Sequence, residues 1–323
     1  MNFSKINALS LFLIYSLSAA AQSEQITIAT GHLTGVYYPV GKKLCQLLVK
    51  EAQKYNQPVS CDVEKTPGSV HNMQNLNAHH VSLAFTQSNW QYHAYNGSRV
   101  FAAQGGNKHL RSLFSLHEEP FTIVTRANTN IHEFNDLKNK RINIGEPGSG
   151  AQGMLEVLMR IYGMTMNDFA SVTRVDMDKQ MEALCQNRTD AVLYSIGHPD
   201  YNLKMVAKTC DVKLVSLKKN LIKKMITQRP YFSYSIIPGG LYQGNPEPVE
   251  TVSLRATLVT TDTMSEQTAY LLTKVAYEHI DELKTVHSAL SSITPQAMQE
   301  GNTAPHHSGA QKYLDSISGV YAM

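Results

Sequence analysis

Two short stretches hold residues whose types and spacing suit the capture of an anion. The first, Gly31-His-Leu-Thr-Gly-Val-Tyr-Tyr-Pro39, follows a β-branched run at 26–30 and precedes Val40, Leu44, Leu47 and Leu48 at helical spacing. Gly31 and Gly35 permit a tight loop, and Pro39 suits the first turn of a helix over 38–53. The second, Gly145-Glu-Pro-Gly-Ser-Gly150, follows a strand pattern at 141–145 and precedes Met154, Leu158, Ile161 and Tyr162 on one helical face. A strand, a glycine loop and a helix start present unpaired backbone N–H groups and a positive dipole end. Two such devices about a hundred residues apart can close on one small anion from opposite sides.

Other chemistries fit these residues less well. Gly148-Ser-Gly-Ala-Gln-Gly153 satisfies G-x-G-x-x-G, but a dinucleotide site wants an acid about twenty residues on, at the end of the next strand. Asp168 comes too early and Asp176 late. Residues 35–42 resemble a phosphate loop with one residue too many, and Lys43 replaces the magnesium-holding Ser or Thr. No G-x-S-x-G surrounds Ser149, so a nucleophile elbow is absent. The 13 histidines lack H-x-x-x-H or H-E-x-x-H spacing, and the adjacent pairs His79-His80 and His306-His307 sit in polar surroundings. They read as solvated surface groups, and no metal or cofactor is expected.

The elements that must position the two loops read as follows. The first part alternates strand and helix: strands at 26–30, 60–65 and 81–86, and helices at 38–53, at 69–76 with Ser69 as cap, and from Ser88. That order implies a mainly parallel sheet with ligand-facing loops at the strand C-terminal ends. Strands at 110–116 and 121–126 flank His117-Glu-Glu-Pro120. A second α/β unit runs from a helix near 135–139 through strands at 141–145, 172–175, 191–196 and 212–217, with helices from Gly150, at 178–186 and up to 208. A strand at 253–260 precedes a long helix opened by Thr263-x-x-Glu266 as a capping box. Short helices near 295–299 and 308–316 end the chain. With no Pro/Gly-rich tether, ordinary strands are expected to cross between two units and form a hinge.

Composition narrows the class. Residues 1–21 read as a secretory signal, with Lys5, an apolar run at 9–17 and the small residues 18–21. The net charge of +3 and the lack of a basic run exclude nucleic acid as an expected partner. The 323 residues suggest roughly two domains. Cys45, Cys61, Cys185 and Cys210 allow three pairings, and no C-x-x-C spacing supports a metal site. The local pairing, Cys45–Cys61 with Cys185–Cys210, would staple a helix to the next strand twice, each bridge adding ~3 kcal/mol by the loop-entropy argument.

At the two loops the sequence resembles the TAXI family, the extracytoplasmic solute receptors of one class of TRAP transporters. The likeness rests on Ile28-Ala-Thr-Gly31 with Gly35-Val-Tyr-Tyr-Pro-Val-Gly41, Pro67-Gly-Ser-Val70, Phe85-Thr-Gln-Ser88, Ile144-Gly145 with Pro147-Gly-Ser-Gly150, and Gly197-His-Pro199. Tyr242 with residues 251–258 matches the family's return crossing, and the two local Cys pairs resemble the pattern in some members. The chain departs from the usual pattern at His32-Leu33, His71 and Ala151-Gln-Gly153. The resemblance implies an α/β, two-lobed periplasmic binding protein of the type II kind that closes on an organic anion and delivers it to a sodium-coupled membrane permease. Ligands in such proteins are mainly glutamate and dicarboxylates such as 2-oxoglutarate.

The expected protein is therefore a monomeric, non-enzymatic receptor in the periplasm. One lobe is 22–115 plus 255–323, the other 116–254, and the ligand lies in the cleft between them. Backbone N–H groups of Gly35, Val36, Tyr37 and Tyr38 and of Ser149, Gly150, Ala151 and Gln152 take the carboxylates. They are joined by hydroxyls of Ser69, Thr86, Ser88, Ser149 and Tyr38, while Gln87 and Tyr194 complete the polar shell. The alternative is a periplasmic enzyme on the same scaffold.

Overall fold

The computed structural model describes residues 23–319, so the expected export signal lies outside the described residues. The first three strands, β1 (Glu24–Ala29), β2 (Val59–Glu64) and β3 (Leu83–Gln87), alternate with α1 (Tyr37–Lys54), α2 (Ser69–Asn77) and α3 (Ser88–Asn96). β1 pairs in parallel with both β2 and β3, as right-handed β-α-β crossovers dictate. α1 buries Val40, Leu44, Leu47 and Leu48 against this sheet, and the Cys45–Cys61 disulfide ties it to β2 with Cα atoms 5.1 Å apart.

β4 (Leu110–Arg126) departs from expectation. It is one strand of 17 residues, unbroken by His117-Glu-Glu-Pro120. The two glutamates are tolerated because each carboxylate finds a hydrogen-bond donor, while both His117 ring nitrogens are buried without one; at the pairing with β10 (Val249–Thr261), Pro120, Glu119 and Glu118 face Ser253, Leu254 and Arg255. The Glu118 carboxylate accepts from Ser235 Oγ at 2.7 Å and lies 3.6 Å from Arg255, and the Glu119 carboxylate accepts from Gln87 Nε2 at 2.6 Å. β10 is also longer than its apolar pattern suggests, and it pairs antiparallel with β3, β4 and β9 (Ser233–Ile237).

The second α/β unit follows: β5 (Arg141–Asn143), α4 (Ala151–Tyr162), β6 (Ser171–Thr173), α5 (Met177–Cys185), β7 (Ala191–Ser195), α6 (Tyr201–Val206) and β8 (Val212–Leu214). β5 lies parallel between β6 and β7, while β7 and β8 run antiparallel to β4. The second disulfide, Cys185–Cys210, joins the end of α5 to the turn before β8, Cα atoms 5.8 Å apart. The sequence patterns assign no element to 218–248, yet α7 (Lys219–Gln228) and β9 lie there. α7 buries only Leu221, Ile222 and Met225, a stripe too narrow to stand out among its lysines. The chain closes with α8 (Glu266–Glu278), α9 (Ile280–Val286) and α10 (Ser308–Ile317). The expected long helix is thus broken at His279. Its cap is Ser265, which accepts from Thr268 N, rather than Thr263, whose hydroxyl bonds Thr261.

Apolar burial divides along the two crossing strands. One set of clusters draws on Ile28, Phe85, Phe114, Leu116, Ala256 and Leu258; another draws on Phe121, Ile123, Leu193, Val252 and Leu254. β4 and β10 contribute to both, so the two cores are joined by a pair of hydrogen-bonded strands. Among the described residues no helix is long and apolar enough to cross a membrane.

The second core is anchored at Asp190, just before β7. Its carboxylate accepts from Arg126 Nη2 at 3.0 Å, from Arg141 Nη2 at 2.6 Å and from the Arg141 backbone N–H at 2.9 Å, linking β4, β5 and β7. The Arg141 guanidinium, helped by its backbone N–H and by Arg126, holds this carboxyl well below the usual carboxylate range. A depressed carboxyl stabilises the fold fully above its unfolded pKa, near 4, and loses that contribution as pH falls toward the folded value. Asp190→Asn should therefore cost about 2–3 kcal/mol in urea unfolding at pH 7, since hydrogen bonds to charged groups are worth ~1.5–3 kcal/mol. The gap between variant and wild type should narrow progressively below about pH 4; a constant gap would place the stabilisation elsewhere.

Candidate functional site

A cleft between the two cores encloses about 680 Å³ of atom-free space, part of it open to solvent. Both organising loops reach it. Gly35, Val36 and Tyr37 line one wall at the start of α1, and Ser149, Gly150 and Ala151 line the other at the start of α4. Neither helix has a side-chain cap: the N-cap residues are Val36 and Gly150. By contrast α5, α6 and α8 are capped by Asp176, Asp200 and Ser265. The first amides of an α-helix have no intrahelical acceptor, so the starts of α1 and α4 offer donors and positive dipole ends to the cleft.

Apart from His32 Nδ1, which faces the Asp176 and Asp178 carboxylates, four polar side-chain atoms at this surface are buried and have no hydrogen-bond partner: Tyr37 Oη, Gln87 Oε1, Ser149 Oγ and Ser195 Oγ. Buried polar groups are almost always paired, so four orphans around one space mark where a ligand's polar atoms belong. The Tyr37 ring stacks on Phe85 at 5.1 Å and meets His117 edge-on. Burial, reinforced by the Glu119 carboxylate, pushes its phenol well above the ordinary value, so it stays a donor. Gln87 is fixed by donating Nε2 to Glu119 Oε2 at 2.6 Å and to the Ser195 carbonyl at 3.3 Å.

Of the residues expected from sequence, Gly35, Val36, Tyr37, Ser69, Gln87, Ser149, Gly150, Ala151 and Tyr194 line the cleft. Tyr38, Thr86, Ser88 and Gln152 do not, for local reasons. Tyr38 turns to the surface under Lys42, whose ammonium lies 5.3 Å from the ring. Thr86 faces the core of β3, the alternate side from its neighbour Gln87. The Ser88 hydroxyl is engaged between the Tyr231 carbonyl and the Arg255 N–H, both at 3.1 Å. Gln152 donates to Glu156 one turn along α4. Two residues that do line the cleft are committed elsewhere: the Tyr194 hydroxyl donates to Asp200 at 2.8 Å, and Ser69 Oγ accepts from Gln87 N.

Sequence reasoning passed over His32, Glu119, Glu146 and Ser195, all of which line the space. Ser195 ends β7 beside Tyr194, a position the strand-end rule already favoured. Glu119 was legible only as an acid interrupting an apolar strand. The histidines correct the reading of a solvated set: His32, His93, His117 and His307 are buried, and His307 caps α10 by accepting from Gly309 N. His198 is buried too, its pKa lowered to about 3, and it bonds Thr122 and the Tyr242 hydroxyl at 2.8 and 2.5 Å.

The cleft is held shut by contacts across it. Gly148 adopts a φ of +87°, open to glycine without strain, and its carbonyl accepts from both Val70 N and His71 N at the start of α2. Trp90 Nε1 donates to the Gly150 carbonyl at 3.1 Å, and Thr34 Oγ1 donates to Asp178 at 2.8 Å. His32 Nε2 bonds Glu146 Oε1 at 2.5 Å, while its Nδ1 sits 3.8 and 3.9 Å from Asp176 and Asp178. His32, Glu146 and Asp176 are the one group among the described residues whose ligand atoms cluster closely enough for a metal ion. The short His32–Glu146 hydrogen bond makes it first a latch between the two walls.

The NMT1-like family profile matches residues 28–316, and the chain belongs to that family. The fold is that of two-lobed solute-binding proteins. It resembles a putative L-cystine ABC transporter protein from Listeria monocytogenes at 12% identity and TM-score 0.52, over 86% of this chain and 99% of that one. It also resembles PhnD1 from Prochlorococcus marinus in complex with methylphosphonate, at 12% identity and TM-score 0.54, covering 93% of this chain and 99% of the other. The periplasmic binding protein BugD superposes with a TM-score of 0.55 at 9% identity, over 92% and 96% of the two chains.

Gly197 tests closure separately from folding. A Cβ there would lie 2.6 Å from the ring of His117, on the strand common to both cores, and 2.7 Å from Ala289 Cβ, which packs in the first core. Gly197→Val should leave the circular dichroism spectrum intact yet hold the lobes apart. Small-angle scattering should show a larger radius of gyration than wild type under closing conditions. An unchanged radius would mean that the cleft closes by some other path.

Proposed function

We propose, from the resemblance of its loop motifs, that this protein is the periplasmic receptor of a TRAP transporter of the TAXI type. It captures a small organic anion, L-glutamate first and 2-oxoglutarate or a related dicarboxylate next, and hands it to a sodium-coupled membrane permease. In this reading the lobes are 22–115 with 255–323, and 116–254, and the receptor works as a monomer. The observation that carries the reading is the meeting of two uncapped helix starts across a cleft that holds four unpartnered polar atoms. A carboxylate set there replaces water by N–H and O–H donors already in place, and closure adds the second wall. The binding step thus favours the closed form. PhnD1, a protein of similar fold, is in complex with the anion methylphosphonate, which fits an anionic ligand here. Binding without chemistry fits the side chains: the Ser149 and Ser195 hydroxyls have no partner, so neither is paired with a base.

The test is isothermal titration with amino and oxo acids, on protein unfolded and refolded to strip carried-over ligand. One site should fill with L-glutamate or 2-oxoglutarate, and the radius of gyration should fall on filling. Ser149→Ala, which removes a donor with no other partner, should weaken binding by roughly ten- to a hundredfold. Folded protein that gives no heat with any of these acids, or an Ser149→Ala variant that binds as wild type does, would remove the cleft from this role.

A further inference from the structure

The charges around the cleft are unusual for an anion site. Its lining contains two carboxylates, Glu119 and Glu146, and no Lys or Arg. Glu146 is matched by His32. Glu119 is not matched in the same way. It is 4% exposed and receives one clear hydrogen bond, from Gln87 Nε2, while His117 Nε2 stands 3.4 Å away without hydrogen-bond geometry. The Tyr37 phenol also bears on this carboxylate, and a buried carboxylate held by the Gln87 amide beside that phenol gains further from a ligand cation.

The neighbouring acceptor strengthens the case. Gln87 Nε2 lies between two acceptors, Glu119 and the Ser195 carbonyl, which sets the amide so that Oε1 faces the cleft. That oxygen is buried and unpartnered. Glu119 and Gln87 Oε1 therefore form an acceptor corner, with Tyr37 Oη beside Glu119 and Gln87 Oε1 packed against Gly150, so that acceptors and the donors at the starts of α1 and α4 lie side by side. A dicarboxylate would bring one negative group toward the donors and leave nothing to satisfy the corner. A molecule with an ammonium on the carbon next to its carboxylate meets both.

Resting on the receptor reading above, the geometry points to Glu119 as the acceptor of a ligand ammonium, with Gln87 Oε1 as its second acceptor, so that the cleft takes a zwitterionic α-amino acid in preference to an oxo acid or a plain dicarboxylate. Glu119 is thereby the residue that separates glutamate from 2-oxoglutarate. It arrives from β4, the strand common to both cores, whereas the orientation of Gln87 relies on the Ser195 carbonyl of the other unit and is completed on closure.

The experiment titrates wild type and Glu119→Gln with L-glutamate, 2-oxoglutarate and glutarate, together with L-glutamine, L-aspartate and L-leucine, and records thermal unfolding of each protein. Wild type should bind an α-amino acid at least roughly tenfold tighter than the corresponding acids without the amino group, as loss of a charge-assisted hydrogen bond requires. Glu119→Gln should weaken the amino acid by roughly ten- to a hundredfold and leave 2-oxoglutarate and glutarate unchanged or tighter. Glu119→Asp, which retains the charge, should recover part of the preference if the variant Gln protein unfolds early. Wild type that binds 2-oxoglutarate or glutarate as tightly as glutamate overturns the ammonium subsite while the receptor reading stands. Equal losses of amino and non-amino ligands in Glu119→Gln overturn it too. Binding of a different amino acid, lost on Glu119→Gln, supports the subsite and ends the choice of glutamate. No binding of any member overturns both.

Discussion

The antiparallel pairing of β4 with β10 is the constraint on which the rest of the structure depends. Each strand lends side chains to both apolar cores, so the cores are tied by backbone hydrogen bonds rather than by a loose tether. Such a connection permits bending where the ladder is irregular and resists sliding or twisting apart. The register shifts between Arg255 and Thr257 and between Leu258 and Val259 place that irregularity close to the cleft floor. The polar run His117-Glu-Glu-Pro120 lies in the same zone. Inside the sheet its Glu118 carboxylate is held by Ser235 and Arg255, Glu119 accepts from Gln87, and the His117 ring nitrogens have no hydrogen-bond partner.

From that joint follows the electrostatic character of the cleft. Two helix starts without side-chain caps face each other, each carrying the equivalent of roughly half a positive charge at its N-terminus. No mobile cationic side chain lines the space, so ligand affinity does not require ordering a long Lys or Arg. The donors are backbone amides and short hydroxyls held by packed elements, which lowers the entropic cost of binding. The acidic corner at Glu119 opposes this donor surface within a few side chains. A site so polarised discriminates by where the ligand's charges lie more than by its net charge.

Much of this was legible beforehand because it is local. The alternation of β-branched runs with helical stripes produced the order of elements through α6 except that β4 was read as two strands, and the Cys spacing suggested both disulfides found in the structure. Glycine loops before helices marked both walls of the site. What failed was whatever depended on a distant partner. Period-two alternation places Thr86 and Gln87 on opposite faces, but only the packed sheet says which face is the cleft. Ser88 resembles a free cap residue until Tyr231 and Arg255 are brought beside it. α7 was missed because its buried stripe is narrow and its exposed face polar, and β9 because it buries Ser235 while leaving Tyr234 and Ile236 exposed.

By itself the sequence determined the class of fold, the two anion-facing loops and the cysteine pairs, because strand and helix periodicity, glycine torsional freedom and short loop closure act over a few residues. Tertiary structure alone decided that His117-Glu-Glu-Pro120 runs on as strand, that His32 bridges to Glu146, and that Glu119 comes to lie in the cleft beside Gln87. Those outcomes join residues tens to more than a hundred positions apart. Whether a buried charge is tolerated depends on which donors long-range folding sets around it, and no local pattern encodes that.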